Sequence, residues 1–218
     1  MKSEFSKRII SSAILVPSTL FFIIKGSFLF TSFIFLFFLI SSFEWIKMMN
    51  NKLILILGLI YLTFSFYTVF LIRNDLNENN IFIFLILIII CISTDLGGYI
   101  FGKTFKGPKL TKISPNKTYS GALGGFIFAI ILTIIFVIFI YNFFSIKIEL
   151  SFHFILMIIS LSLVSQLGDL VISYFKRKSN LENTGNLIPG HGGVLDRIDG
   201  MIFVFPTFYI TNQLLNLI

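Results

Sequence analysis

A chain of 218 residues of which 56% are hydrophobic and only 12% charged carries about half the charge of a soluble domain, so it is not a water-soluble globule. Its net charge of +7 points first to cytoplasmic loops lying against anionic lipid, not to a nucleic-acid partner. The single cysteine, Cys91, lies inside an apolar run, which argues against a disulfide framework and a four-ligand zinc site.

The opening MKSEFSKRIISSAILVP has a basic start and an apolar stretch but no small-x-small cleavage site, so it is expected to stay as a first helix. Seven apolar runs occupy residues 9–24, 26–43, 53–72, 81–96, 121–141, 150–175 and 200–218. The first and fourth are short of the roughly 20 residues that a membrane helix needs, and are expected to be tilted, re-entrant or extended at their ends. With the N-terminus in the cytoplasm, only Lys25, Arg73 and Lys147 of the 17 Lys and Arg residues fall on the opposite side, the positive-inside pattern. The expected fold is an all-α, polytopic integral membrane helix bundle of about seven spans with a cytoplasmic N-terminus. Residues 1–94 are expected to supply N-terminal spans. Residues 95–218 are expected to form a catalytic region with cytoplasmic loops 100–120 and 176–199. Asp95, Asp169 and Asp196 then gather at one cytoplasmic mouth.

Polar chemistry begins at the end of the fourth run, where Asp95 precedes Gly97, Gly98 and Gly102. An acid at a membrane boundary faces protein, water or a cation, and the glycines allow close helix packing or a bend. A loosely hydrated acid beside a packing motif is the plainer account. The segment Ser114-Pro115-Asn116-Lys117-Thr118 follows, leading into Gly121, Gly124 and Gly125. It offers hydroxyl, amide and ammonium donors to an anion at the start of a helix. It lacks the Walker A pattern, and an interfacial lysine loop touching lipid explains this segment equally well.

The sixth run ends with Ser165, Asp169 and Ser173, spaced four residues apart and so on one helix face, followed by Lys176 and Arg177. A polar stripe with an acid faces a bundle interior or cavity. An acid for a divalent cation next to bases for phosphate suits phosphoryl or nucleotidyl transfer. The alternative is a helix-end acid paired with those bases. The stretch from residue 166 to residue 200 closes with Pro189-Gly190-His191-Gly192-Gly193, then Asp196, Arg197 and Asp199. If the last helix begins near Val194, Asp196 and Asp199 lie near its start. His191 is read as a phosphate donor, an acid or base, or a cap of the turn. Magnesium favours a few carboxylates plus substrate phosphates, and Asp169 with Asp196 is the best pair for it. His153 is assigned no role.

Ser173, Lys176, Arg177, Gly185, Ile188 through Gly193, Asp196, Arg197 and Asp199 match a long signature, and the chain resembles the phosphatidate cytidylyltransferase (CDP-diacylglycerol synthase) family. Gly168 and Asp169 match the pair before that signature, and Ser114, Pro115, Lys117 and Thr118 match a second family feature. One departure stands out: Glu182-Asn183 replaces the family's Lys-Asp. The resemblance implies a membrane nucleotidyltransferase making CDP-diacylglycerol and pyrophosphate from CTP and phosphatidate, with Mg²⁺ held by Asp169 and Asp196. Lys117, Lys176, Arg177 and Arg197 become phosphate clamps, Asp199 positions Arg197 or a second cation, and His191 shapes the loop or binds phosphate. Ser114, Lys117, Thr118, Ser173 and Asp95 are expected on the substrates. The resemblance also implies a homodimer, membrane lipids as partners and a bacterial inner membrane with the site on the cytoplasmic face. A CTP-dependent lipid kinase and, from a different class, a transporter are the alternatives.

Overall fold

The computed structural model describes residues 2–74, 80–111, 114–190 and 192–215. Among these residues each apolar run lies on a helix, because a chain without water must satisfy its backbone within the segment. The elements are α1 (Lys2–Lys25), α2 (Ser27–Met48), α3 (Lys52–Asn74), α4 (Asn80–Phe105), α5 (Tyr119–Phe144), α6 (Phe152–Lys178), the single turn α7 (Leu195–Ile198) and α8 (Met201–Leu215). Five of them, α2 to α6, are long and apolar enough to cross a membrane. The apolar part of α1, Ala13–Lys25, is shorter, and α8 has 15 residues with Pro206 inside it.

Two points bear on the site. The fourth run is extended at its end, as its short length allowed: α4 continues through Asp95 and the glycines to Phe105, so the loop expected over 100–120 lies between Phe105 and Tyr119 and the glycines pack within a helix. The last helix does not start near Val194. Residues Leu195–Ile198 form their own turn and α8 starts at Met201. The break falls at Gly200, where an added Cβ would run into Ser165.

The chain divides into two compact units, Met1–Leu76 with Phe175–Asp199, and Asn77–Tyr174 with Gly200–Ile218. The first is built on α1, α2 and α3. Trp45 Nε1 donates to the Leu55 carbonyl at 3.2 Å, and its indole fills the space over Gly58, where a Cβ would overlap the ring. Arg73, at the end of α3, donates through Nε to the Ile23 carbonyl at 2.8 Å and so caps the end of α1. The same unit carries the segment that follows α6. Ser179 Oγ donates to the Met48 carbonyl at 2.8 Å, Phe175 meets Trp45 edge-on with ring centroids 5.1 Å apart, and Ser11 Oγ donates to the Pro189 carbonyl at 3.2 Å.

In the second unit α4 and α5 pack backbone to backbone. A Cβ at Gly97 would strike the Gly124 carbonyl and Phe128, and one at Gly124 would strike Phe101. This small-residue contact is how apolar helices associate where no hydrophobic drive separates them from lipid. Buried hydroxyls add specificity: Thr94 Oγ1 on α4 donates to Ser162 Oγ on α6 at 2.8 Å. Gln166 Nε2 on α6 donates to the Ala122 carbonyl of α5 at 3.3 Å. The three helices thereby frame one pocket.

Candidate active-site clusters

Thr118 begins the pocket's construction. Its side chain accepts the Gly121 N–H at 3.1 Å and caps α5. The segment before it folds back, with the Leu110 N–H on the Lys117 carbonyl at 2.8 Å and the Lys117 N–H on the Ser114 carbonyl at 3.1 Å. This turn brings the Lys117 ammonium to α6, where it forms an ion pair with Asp169. Asp169 also accepts Ser173 Oγ at 3.1 Å through Oδ1, so the predicted polar stripe is a working contact. A pocket of about 330 Å³ opens here, with Asp95, Ser114, Asn116, Lys117, Thr118 and Asp169 in its wall. The Lys117 and Asp169 side chains are 26% and 27% exposed, so both reach whatever enters. Four of the five expected substrate-binding residues and one expected metal ligand therefore meet in one place. Ser173, the fifth, is buried and reaches the site through Asp169.

The second cluster lies in the first unit and is drier. Asp196 pairs with Lys176 at 2.7 Å, the side chains being 3% and 11% exposed. Oδ1 takes the lysine, while Oδ2 accepts the Thr184 N–H at 2.8 Å and the Gly193 N–H at 3.0 Å, with Thr184 Oγ1 at 3.1 Å. Burial pushes the Asp196 carboxyl up, but the Lys176 hydrogen bond and charge, with the Gly193 and Thr184 N–H groups, outweigh it and hold the carboxyl below the ordinary range. The turn itself closes through the Ile188 N–H on the Gly192 carbonyl at 2.9 Å. Gly190 and Gly192 have φ of 77° and 87°, a left-handed backbone that glycine adopts without strain. Gly193 is required for room instead, because a Cβ there would meet Thr184 Oγ1 and the Glu44 carboxylate.

Other expected residues are placed less centrally. Arg177 is exposed and donates through Nη1 to the Leu181 carbonyl at 3.2 Å, closing the end of α6. Arg197 is exposed, and Asp199 is half-buried just after α7. His191 lies outside the described residues. Glu182 and Asn183, the departure from the family pattern, are both exposed, and the holding contacts are made by Thr184 next to them.

Sequence reading missed Glu44. This carboxylate on α2 is 5% exposed and accepts Val194 N–H at 2.9 Å, Leu195 N–H at 2.8 Å and Thr184 Oγ1 at 2.9 Å. The available signal was an acid at the end of an apolar run, beside Ser41 and Ser42. An ionisable group in that position is expensive and is kept for a purpose.

The model of the cytidylyltransferase family matches residues 51–215. The chain is 40% identical over 221 residues to a protein of Rickettsia bellii named phosphatidate cytidylyltransferase, covering 98% of this chain and 93% of that one. A protein of the same name from Rickettsia conorii is 40% identical, covering 92% of this chain and 88% of that one. One from Bacillus subtilis is 39% identical over 155 residues, 70% of this chain and 55% of that protein. The family match runs through both clusters, from the Asp95 pocket to the glycine turn and Asp196, and the chain belongs to the cytidylyltransferase family.

Proposed function

We propose that this chain is a membrane nucleotidyltransferase that makes CDP-diacylglycerol and pyrophosphate from CTP and phosphatidate. An oxygen of the phosphatidate phosphate attacks the α-phosphorus of CTP. A new P–O bond forms, the bond to the β-phosphate oxygen breaks, and pyrophosphate leaves with the electron pair. The attacking phosphate is already ionised at neutral pH, so no strong general base is needed. Both reactants are anionic, and the work left to the protein is to neutralise and align them.

The observation that carries this reading is the pocket beside the capped start of α5, with the Lys117–Asp169 ion pair in its wall. Its volume of about 330 Å³ falls in the usual range for small-molecule sites. The start of α5 adds partial positive charge, which favours phosphate. Lys117 is suited to a phosphate clamp, and Ser114 and Thr118 to hydrogen bonds on the same anion.

Magnesium belongs to this proposal. Among the described residues no group of three or more His, Cys, Asp or Glu side chains stands together, so a cation there is completed by substrate phosphates, as Mg²⁺ commonly is. The Asp169 carboxylate, about a quarter exposed in the pocket wall, fits that use. Asp196, the second carboxylate of the proposed pair, is held by Lys176, Thr184 and Gly193. Bound Mg²⁺ supplies Lewis-acid stabilisation of charge on phosphate oxygens.

The finer topology is proposed on the charge count: seven spans with the N-terminus and the site on the cytoplasmic face of a bacterial inner membrane, where CTP is available and the lipid enters from the side. A homodimer is part of the same reading, and light scattering in detergent tests it. The deciding experiment incubates the purified chain with labelled CTP, phosphatidate and Mg²⁺. CDP-lipid with pyrophosphate is expected. A phosphorylated lipid with CDP would make the chain a kinase. Solute flux into proteoliposomes without nucleotide would make it a transporter.

A further inference from the structure

We propose that Glu44 is a positioning residue for the transfer reaction, acting by holding the glycine turn and with it Asp196; this rests on the cytidylyltransferase reading above. Glu44 is on α2, before the residues 51–215 that the family match covers, yet its carboxylate is the anchor of the signature segment. Oε1 accepts the Val194 N–H, and Oε2 accepts the Leu195 N–H and lies 2.9 Å from Thr184 Oγ1. Those groups lie next to the ones that donate to Asp196. Thr184 offers its N–H to Asp196 Oδ2 at 2.8 Å, and Gly193, next to Val194, offers its own at 3.0 Å.

Two buried carboxylates therefore share one hydroxyl. Thr184 Oγ1 has a single proton and sits 2.9 Å from Glu44 and 3.1 Å from Asp196, so it serves one at a time. The backbone N–H groups divide cleanly instead: Val194 and Leu195 to Glu44, Thr184 and Gly193 to Asp196. Asp196 holds the Gly193 amide and Glu44 the next two of the same loop, and these bonds oppose turning Asp196 away from Lys176. Glu44 has no substrate contact in this account. Its effect passes through the loop.

The test uses the full chain purified in detergent. In Glu44→Gln one carboxylate oxygen becomes an amide donor facing a donor N–H, while size and packing are kept. The expected result is a kcat lowered about tenfold or more, the factor that one hydrogen bond to a charged group is worth, with KM for phosphatidate within about twofold. Amide hydrogen exchange at Val194 and Leu195 should accelerate by a similar factor while α3 and α5 stay protected. Thr184→Ser should retain wild-type kcat and Thr184→Val should lose part of it. Wild-type kcat and exchange in Glu44→Gln would overturn the proposal, and so would exchange raised throughout the chain together with a collapsed Tm. If the wild-type chain makes no CDP-lipid, the reaction reading fails, and the exchange arm still decides whether Glu44 holds the turn.

Discussion

The two carboxylate–lysine pairs use the same chemistry in opposite surroundings. Lys117–Asp169 stands in a pocket wall with about a quarter of each side chain exposed. Lys176–Asp196 is almost dry, and its carboxylate is pinned by two backbone N–H groups and Thr184. A partly exposed pair contributes less to stability than a dry one and is parted more cheaply by an incoming ligand. A buried pair is costly to assemble and far more costly to break. On the proposed reading, the first pair exchanges partners with substrate, and the second fixes the Asp196 carboxylate together with the segment that carries it.

Substitutions can separate these roles. Asp169→Asn should bring the largest change, lowering CDP-diacylglycerol formation at least about 100-fold, on the scale of losing a principal transition-state contact. The protein should still insert and keep its Tm. Full activity in detergent would remove Asp169 from the reaction. Lys176→Met should act in the other currency: it leaves Asp196 buried and unpaired, at a cost of about 3–5 kcal/mol in stability, read as a lower unfolding midpoint. Lys117→Met is the control that breaks or keeps the comparison. It should lose activity while costing no more than about 1 kcal/mol in stability. Equal destabilisation by both lysine substitutions would show that the two pairs do the same job.

A steric and a capping test follow at smaller scale. Gly193→Ala forces a methyl against Thr184 and Glu44, an overpacking cost of about 1–3 kcal/mol. Thr118→Ala removes the cap of α5 at about 1 kcal/mol. The pH dependence has a defined sign. The Asp196 carboxyl is lowered by its partners, so its contribution to stability is fully present above the ordinary carboxylate value of about 4. It is lost as pH falls below that value through the lowered one. Stability of wild type and of Asp196→Asn should therefore converge on acidification, which thermal unfolding between neutral and acid pH would measure.

The helices were legible because hydropathy is local: a run such as residues 121–141 has no charge to place in water and no other way to satisfy its backbone. The pocket residues were legible for a related reason. Ser114, Lys117 and Thr118 lie within five residues of each other, and Asp169 and Ser173 lie one helical turn apart, so short-range geometry already groups each set. Nothing local joins Lys117 to Asp169 or Glu44 to Val194, 150 residues apart.

Composition and spacing by themselves determined an all-α membrane chain, the polar segments proposed to carry its chemistry and a glycine-rich turn after Pro189. Tertiary structure decided which lysine meets which acid, that the glycines of α4 serve packing within a continuous helix, and that Glu44 anchors the loop bearing Asp196. The physical reason is burial. A carboxylate in an apolar bundle is tolerable only where donors converge on it, and the donors on Glu44 and Asp196 converge only once the chain has folded.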